Sequence, residues 1–138
     1  MTDQELIEEA LKAREKAYAP YSHHKVGAAL LTKEGKLYLG CNIENAAYGP
    51  TNCAERTAFF NAVYEGEREF SAIAVVGGME DAPELPICAP CGVCRQVMME
   101  FCDPKTFRVV LGTNRPEKFE VLTLEQMLPL GFGPKALN

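Results

Sequence analysis

A chain of 138 residues, 47% hydrophobic and 24% charged, is long enough to bury a core as one domain, expected to span residues 1–138, without covalent staples. A formal charge of −5 argues against a nucleic-acid partner, which needs a basic face to meet the phosphates. No apolar run approaches the roughly eighteen residues a membrane span requires, and the acidic amphipathic opening is unlike a signal peptide, so no membrane partner and a cytoplasmic location are expected.

Six cysteines in such a chain point to reduced thiols and metal ligation rather than to a disulfide framework. In chain order, Thr2-Asp3-Gln4-Glu5 has the form of a capping box. Leu6, Ile7, Ala10, Leu11, Ala17 and Tyr18 recur at helical spacing behind it, predicting a first helix closed by Pro20. Val26 to Thr32 and Leu37 to Asn42 are apolar runs of strand length, joined by Lys33-Glu34-Gly35-Lys36 as a hairpin in which Gly can take a positive φ. The stretch Asn42 to Pro50 is polar and aperiodic. Its Asn42, Glu44, Asn45 and Tyr48 fit a solvated loop or a substrate loop equally well.

Asn52 can cap a second helix running to about Tyr64. Ala72 to Gly77 lacks polar alternation and reads as a central strand covered on both faces. An acid- and proline-rich loop, Gly78 to Pro90, leads to a third helix from Cys91 to about Phe101. Phe107 to Leu111 and Phe119 to Thr123 lie too close for a crossover and should pair antiparallel. Thr123-Leu124-Glu125-Gln126 resembles another capping box, opening a short helix stopped by Pro129. The order αββαβαββα predicts a three-layer α/β/α sandwich around a five-stranded mixed sheet.

The chemistry concentrates in two places. Cys91-Gly92-Val93-Cys94 at a helix start offers two thiols to one metal ion, as in zinc sites. Cys53-Ala54-Glu55 supplies a third thiol and a carboxylate two residues on. Three protein ligands with a fourth position left to water is a catalytic arrangement, and Glu55 is the candidate acid/base beside that water. Glu55 also stands three residues after Asn52, where a capping-box glutamate would sit. Arg56 and Arg95 each adjoin a ligand; Arg56 could donate to sulfur, while Arg95 reads as a helix-surface cation. Cys88, Cys91 and Cys94 also resemble half of an iron–sulfur ligand run, but Cys102 is too distant to complete it.

Cys-Ala-Glu-Arg-Thr at 53–57 together with Pro-Cys-Gly-Val-Cys-Arg-Gln at 90–96 resembles the cytidine deaminase family, in its small three-cysteine form. Ala19-Pro20-Tyr21-Ser22, Val26 to Leu30, Gly40 to Tyr48, and Leu128-Pro129 followed by Phe132 fit as well, so the likeness runs nearly the length of the chain. The resemblance implies a hydrolase that deaminates cytidine and deoxycytidine to the uridine forms in pyrimidine salvage, with one zinc ion per chain on Cys53, Cys91 and Cys94. It implies Glu55 as the proton shuttle, Asn42 and Glu44 on the ribose, and the Ala54 backbone on the pyrimidine. Ala46, Tyr48 and Phe132 match positions through which neighbours in a homotetramer close each other's sites. Two departures stand out: His24 occupies a position that the family usually gives to an aromatic ring packed on the base, and Cys88 is an additional thiol. His24 leaves open a deaminase of another aminated pyrimidine.

Overall fold

The computed structural model describes residues 1–137, and Asn138, the end of the expected tail, lies outside them. The elements in chain order are α1 (Asp3–Arg14), β1 (His24–Thr32), β2 (Leu37–Cys41), α2 (Ala54–Tyr64), β3 (Phe70–Met79), α3 (Gly92–Phe101), β4 (Arg108–Leu111), β5 (Glu120–Thr123) and α4 (Leu124–Met127), with a 3-10 turn at Pro134–Leu137. The strands form one mixed sheet ordered β2-β1-β3-β4-β5. β3 and β4 run parallel, with α3 in the crossover between them, and the other three neighbouring pairs are antiparallel, β4–β5 included.

Alternation along the central strands sends side chains to two separate cores. On one face Ala29, Ala72, Ala74, Val76 and Val110 meet Leu6, Ile7 and Ala10 of α1. On the other, Leu30, Ile73, Val75 and Val109 meet Ala58, Phe59 and Met98 of α2 and α3. The expected three layers are present, with α1 alone on its side. Two glycines let the helices sit directly on the sheet. A Cβ at Gly27 would fall 2.0 Å from the Ala10 carbonyl oxygen of α1, and one at Gly40 would fall 2.4 Å from the Ala54 carbonyl oxygen of α2.

Several boundaries differ from expectation for tertiary reasons. The first helix ends at Arg14 rather than running past Tyr18. Tyr18 instead forms a bridge to Ile43, its amide donating to Asn42 and its carbonyl accepting from Glu44. Arg14 itself is buried, and its guanidinium donates to the carbonyls of Lys25, Gly78 and Met79 at 2.8–2.9 Å. Thr2 caps α1 by accepting from the Glu5 amide, and the Thr123/Gln126 capping box forms in full. Gly35 adopts φ +94° in the hairpin as the turn requires. Asn52 is not the cap of α2: Cys53 is, and the Asn52 side chain donates to Thr57 Oγ1 at 3.0 Å.

Candidate active site

Cys53 and Cys91 occupy the N-cap positions of α2 and α3, and neither thiol caps its own helix through a side-chain hydrogen bond. Both helix N-termini therefore direct free amides and the positive ends of their dipoles toward the sulfurs. Cys94, one turn into α3, is buried and completes a group of three whose Sγ atoms all lie within 4.8 Å of one another. Cys53 and Cys91 Sγ are 3.8 Å apart, Cys91 and Cys94 Sγ 3.5 Å. Thiolates at about 2.3 Å around a tetrahedral zinc would stand about 3.8 Å apart. The Cys91 sulfur thus already stands at close to zinc spacing from each of the other two. Cys88 stands outside this group, which removes the iron–sulfur arrangement, and Cys102 is buried in the core.

Arg56 donates from Nη2 to Cys53 Sγ at 3.2 Å, while its buried Nε has no partner among the described residues. A hydrogen bond from Cys94, reinforced by the bond and charge of Arg56, holds the Cys53 thiol well below the usual range, and Cys94 is pushed up in return. The protein thus stabilises negative charge on sulfur before any metal arrives. Glu55, in the first turn of α2, is 4% exposed. Burial pushes its carboxyl up to about 7, a value suited to both taking and giving a proton near neutrality. With Cys53 at the cap, Glu55 is the second helical residue rather than the third. The capping role that Asn52 would have given it does not occur.

A cavity of about 230 Å³ opens beside these groups, lined by His24, Asn42, Glu44, Ala54 and Glu55 together with Cys53, Cys88 and Cys91. A second hollow of about 360 Å³ continues from it past Ser22, Glu44 and Thr51 to Tyr21, Asn45 and Tyr48. Larger hollows of about 530 and 580 Å³ lie beside α4 and the tail, away from the thiols and Glu55; the chemistry belongs to the smaller cavity. Asn42 is buried, and its amide extends the β1 ladder where β2 stops, accepting from the Val26 amide at 2.9 Å and donating to the His24 carbonyl at 2.8 Å. Glu44 accepts from the amides of Tyr21 and Ser22 at 3.0 and 3.1 Å and from the Ser22 hydroxyl. The Ser22 bond is the main cause holding its carboxyl below the ordinary value. The Asn42–Tyr48 stretch therefore has a cavity-facing half in Asn42 and Glu44.

Three sequence-derived candidates do not line the 230 Å³ cavity. Ala46 is exposed, Tyr48 is 72% exposed with an edge contact to Tyr21, and Phe132 is 59% exposed on the tail. Arg95 is not the surface cation expected of it: Nε donates to the Pro90 carbonyl at 2.8 Å and Nη1 to the Met127 carbonyl at 2.6 Å. Sequence reasoning gave no role to Ser22, whose hydroxyl donates to the Glu44 carboxylate, or to Arg14, whose partners are distant carbonyls. Ser22 entered only as part of the Ala19-Pro20-Tyr21-Ser22 likeness.

Residues 1–112 match the family model of the cytidine and deoxycytidylate deaminase zinc-binding region. The chain is 50% identical over its full length to a cytidine deaminase of Sporosarcina psychrophila, covering 96% of that protein. It is likewise 50% identical over its full length to one of Halalkalibacterium halodurans, covering 99%. A crystal structure of cytidine deaminase from Burkholderia pseudomallei superposes with a TM-score of 0.85 at 54% identity, over 96% of this chain and 100% of that one. The structure from Mycobacterium tuberculosis gives 0.77 at 33% identity, over 96% and 99%.

Proposed function

This chain belongs to the cytidine and deoxycytidylate deaminase family, and on that premise we propose that it hydrolyses cytidine and deoxycytidine to uridine and deoxyuridine, with release of ammonia. The observation that carries this reading is a cluster of three thiols next to one buried carboxyl, with Cys53, Cys91 and Glu55 lining a single cavity. Zinc bound there supplies the means to lower the pKa of a water toward about 7. Cys53, Cys91 and Cys94 would hold the ion. Arg56 and the two helix N-termini offset the surplus negative charge of three thiolates.

Glu55 accepts the proton of the attacking water and delivers it to N3 of the pyrimidine, which leaves C4 electron-poor. The water oxygen bonds to C4; Glu55 then takes the remaining proton from that oxygen and gives it to the amine, so that the C4–N bond breaks as the C4 carbonyl forms and N3 keeps its proton. One water is consumed and one ammonia leaves. Such a shuttle is within the reach of a carboxyl held near 7 in a dry pocket. The Ala54 backbone at the start of α2 is buried beside Glu55 and suits the pyrimidine edge. Asn42 and Glu44 suit the ribose hydroxyls, and Glu44 in particular offers a carboxylate already fixed by three donors. His24 covers the base.

The cavity and the hollow that continues from it open to solvent beside Tyr48, which is 72% exposed. Exposed Ala46, Tyr48 and Phe132 then serve neighbouring copies, and the working form is a homotetramer of single-domain chains. Among the described residues no helix is long and apolar enough to cross a membrane. The test is an ultraviolet assay. Purified protein loaded with zinc should convert cytidine to uridine with an equivalent of ammonia, and no conversion of either nucleoside would overturn the proposal.

A further inference from the structure

Arg95 follows the ligand Cys94 directly, and its guanidinium spans two separate parts of the chain. Nε holds the carbonyl of Pro90, the residue immediately before Cys91, at 2.8 Å. Nη1 holds the carbonyl of Met127, the last residue of α4, at 2.6 Å. The next residue, Gln96, donates from Nε2 to the Phe132 carbonyl at 2.8 Å. The tail between these two anchors has no strand partner. Leu130 within it is fully exposed with φ +56°, and the following Gly133 lies against Met99 of α3. Consecutive side chains of the metal helix thus grip both ends of the segment that carries Phe132.

We infer that Arg95 is a positioning residue for the Pro90–Cys91 turn, and that through it the metal turn and the C-terminal tail order each other. The physical basis is that one rigid planar fork satisfies two carbonyls at once. Pro90 donates nothing from its own nitrogen, so its carbonyl is the group by which the turn before Cys91 can be held. Anything that fixes Cys91 and Cys94 relative to each other fixes Pro90, hence the guanidinium, hence Met127. The coupling is reciprocal: an ordered tail favours the turn geometry that accepts metal, and a metal-filled turn favours the ordered tail. The inference rests on the zinc reading above.

Hydrogen–deuterium exchange across residues 124–137 tests it, on wild-type protein loaded with zinc and on the same protein stripped by a chelator. Zinc content is measured throughout. In wild type, stripping should speed exchange in this segment by roughly tenfold or more, the equilibrium value of one hydrogen bond from a charged donor. In Arg95→Ala the zinc-loaded tail should already exchange at the stripped rate, and zinc should pass to a competing chelator roughly tenfold faster than in wild type. Arg95→Lys, which reaches one carbonyl at a time, should fall between them, and it carries the same comparison should Arg95→Ala not fold. A tail whose exchange responds to zinc equally in wild type and variant overturns the coupling, as does zinc release at the wild-type rate. Wild-type protein that takes up no zinc overturns the metal reading and the coupling together.

Discussion

Gly40→Ala asks how the sheet places the reacting groups. An added Cβ would lie 2.4 Å from the Ala54 carbonyl oxygen and 2.5 Å from the Ala58 amide nitrogen, whereas ordinary contact begins at about 3.4 Å. The α2 backbone would have to withdraw by about 1 Å, because neither atom belongs to a flexible side chain. Overpacking of this kind costs about 1–3 kcal/mol, here toward the upper end. At roughly 3–4 °C per kcal/mol for a chain of this length, Tm should fall by about 10 °C. The first turn of α2 carries Cys53, Ala54 and Glu55, so the displacement reaches the site directly. A misplacement near 1 Å is enough to cost about 10²-fold in rate. Gly27→Ala is the control, since its Cβ would meet Ala10 and Arg14 of α1 on the opposite face at 2.0 and 2.5 Å. Calorimetry and kcat on the folded protein should show both variants destabilised and Gly40→Ala alone strongly slowed. If Gly40→Ala melts early yet turns over at the wild-type rate, the contact is not what sets the position of Glu55.

Ser22→Ala should raise the pKa of Glu44, because the Ser22 hydroxyl is the main cause holding it down. A carboxyl with a lowered value keeps its charge to lower pH and loses it as pH falls through that value, so the variant's KM should begin to climb at higher pH. A titration of KM that matches wild type as pH falls through and below the ordinary glutamate value of about 4.3 would remove Glu44 from ribose binding. Cys88→Ser should retain one zinc per chain and Cys91→Ser should lose it, as measured by metal analysis; the reverse would place Cys88 among the ligands. His24→Phe should lower KM for cytidine several-fold with zinc content unchanged, since a full aromatic platform under a base is worth about 1–3 kcal/mol. An unchanged KM in both His24→Phe and His24→Ala would mean that the ring does not cover the base.

The sheet, its mixed pairing and its layers were legible because each element carries its own signal. Ala72 to Gly77 lacks polar alternation, and the short β4–β5 connection forbids a crossover. The metal group was legible because both motifs sit at helix starts. Much of what escaped is side chains satisfying distant backbone. Arg14 reaches carbonyls 64 and 65 residues away, and Arg95 reaches one 32 residues away. Neither spacing leaves a pattern in the chain. A distant backbone pairing shortened α1, where Tyr18 bridges to the Asn42–Glu44 stretch against helical periodicity. The α2 cap stands at Cys53 rather than Asn52, whose side-chain amide donates to Thr57 instead.

Glu55→Gln gives the most direct measurement. Glutamine keeps the size of the side chain but can no longer exchange a proton with a water, a ring nitrogen and a departing amine in turn. The variant should fold, hold one zinc per chain with Cys53, Cys91 and Cys94 intact, and deaminate cytidine at least about 10²–10⁴-fold more slowly than wild type. A zinc-loaded Glu55→Gln that deaminates cytidine within a few-fold of wild type would contradict proton shuttling by this buried carboxyl.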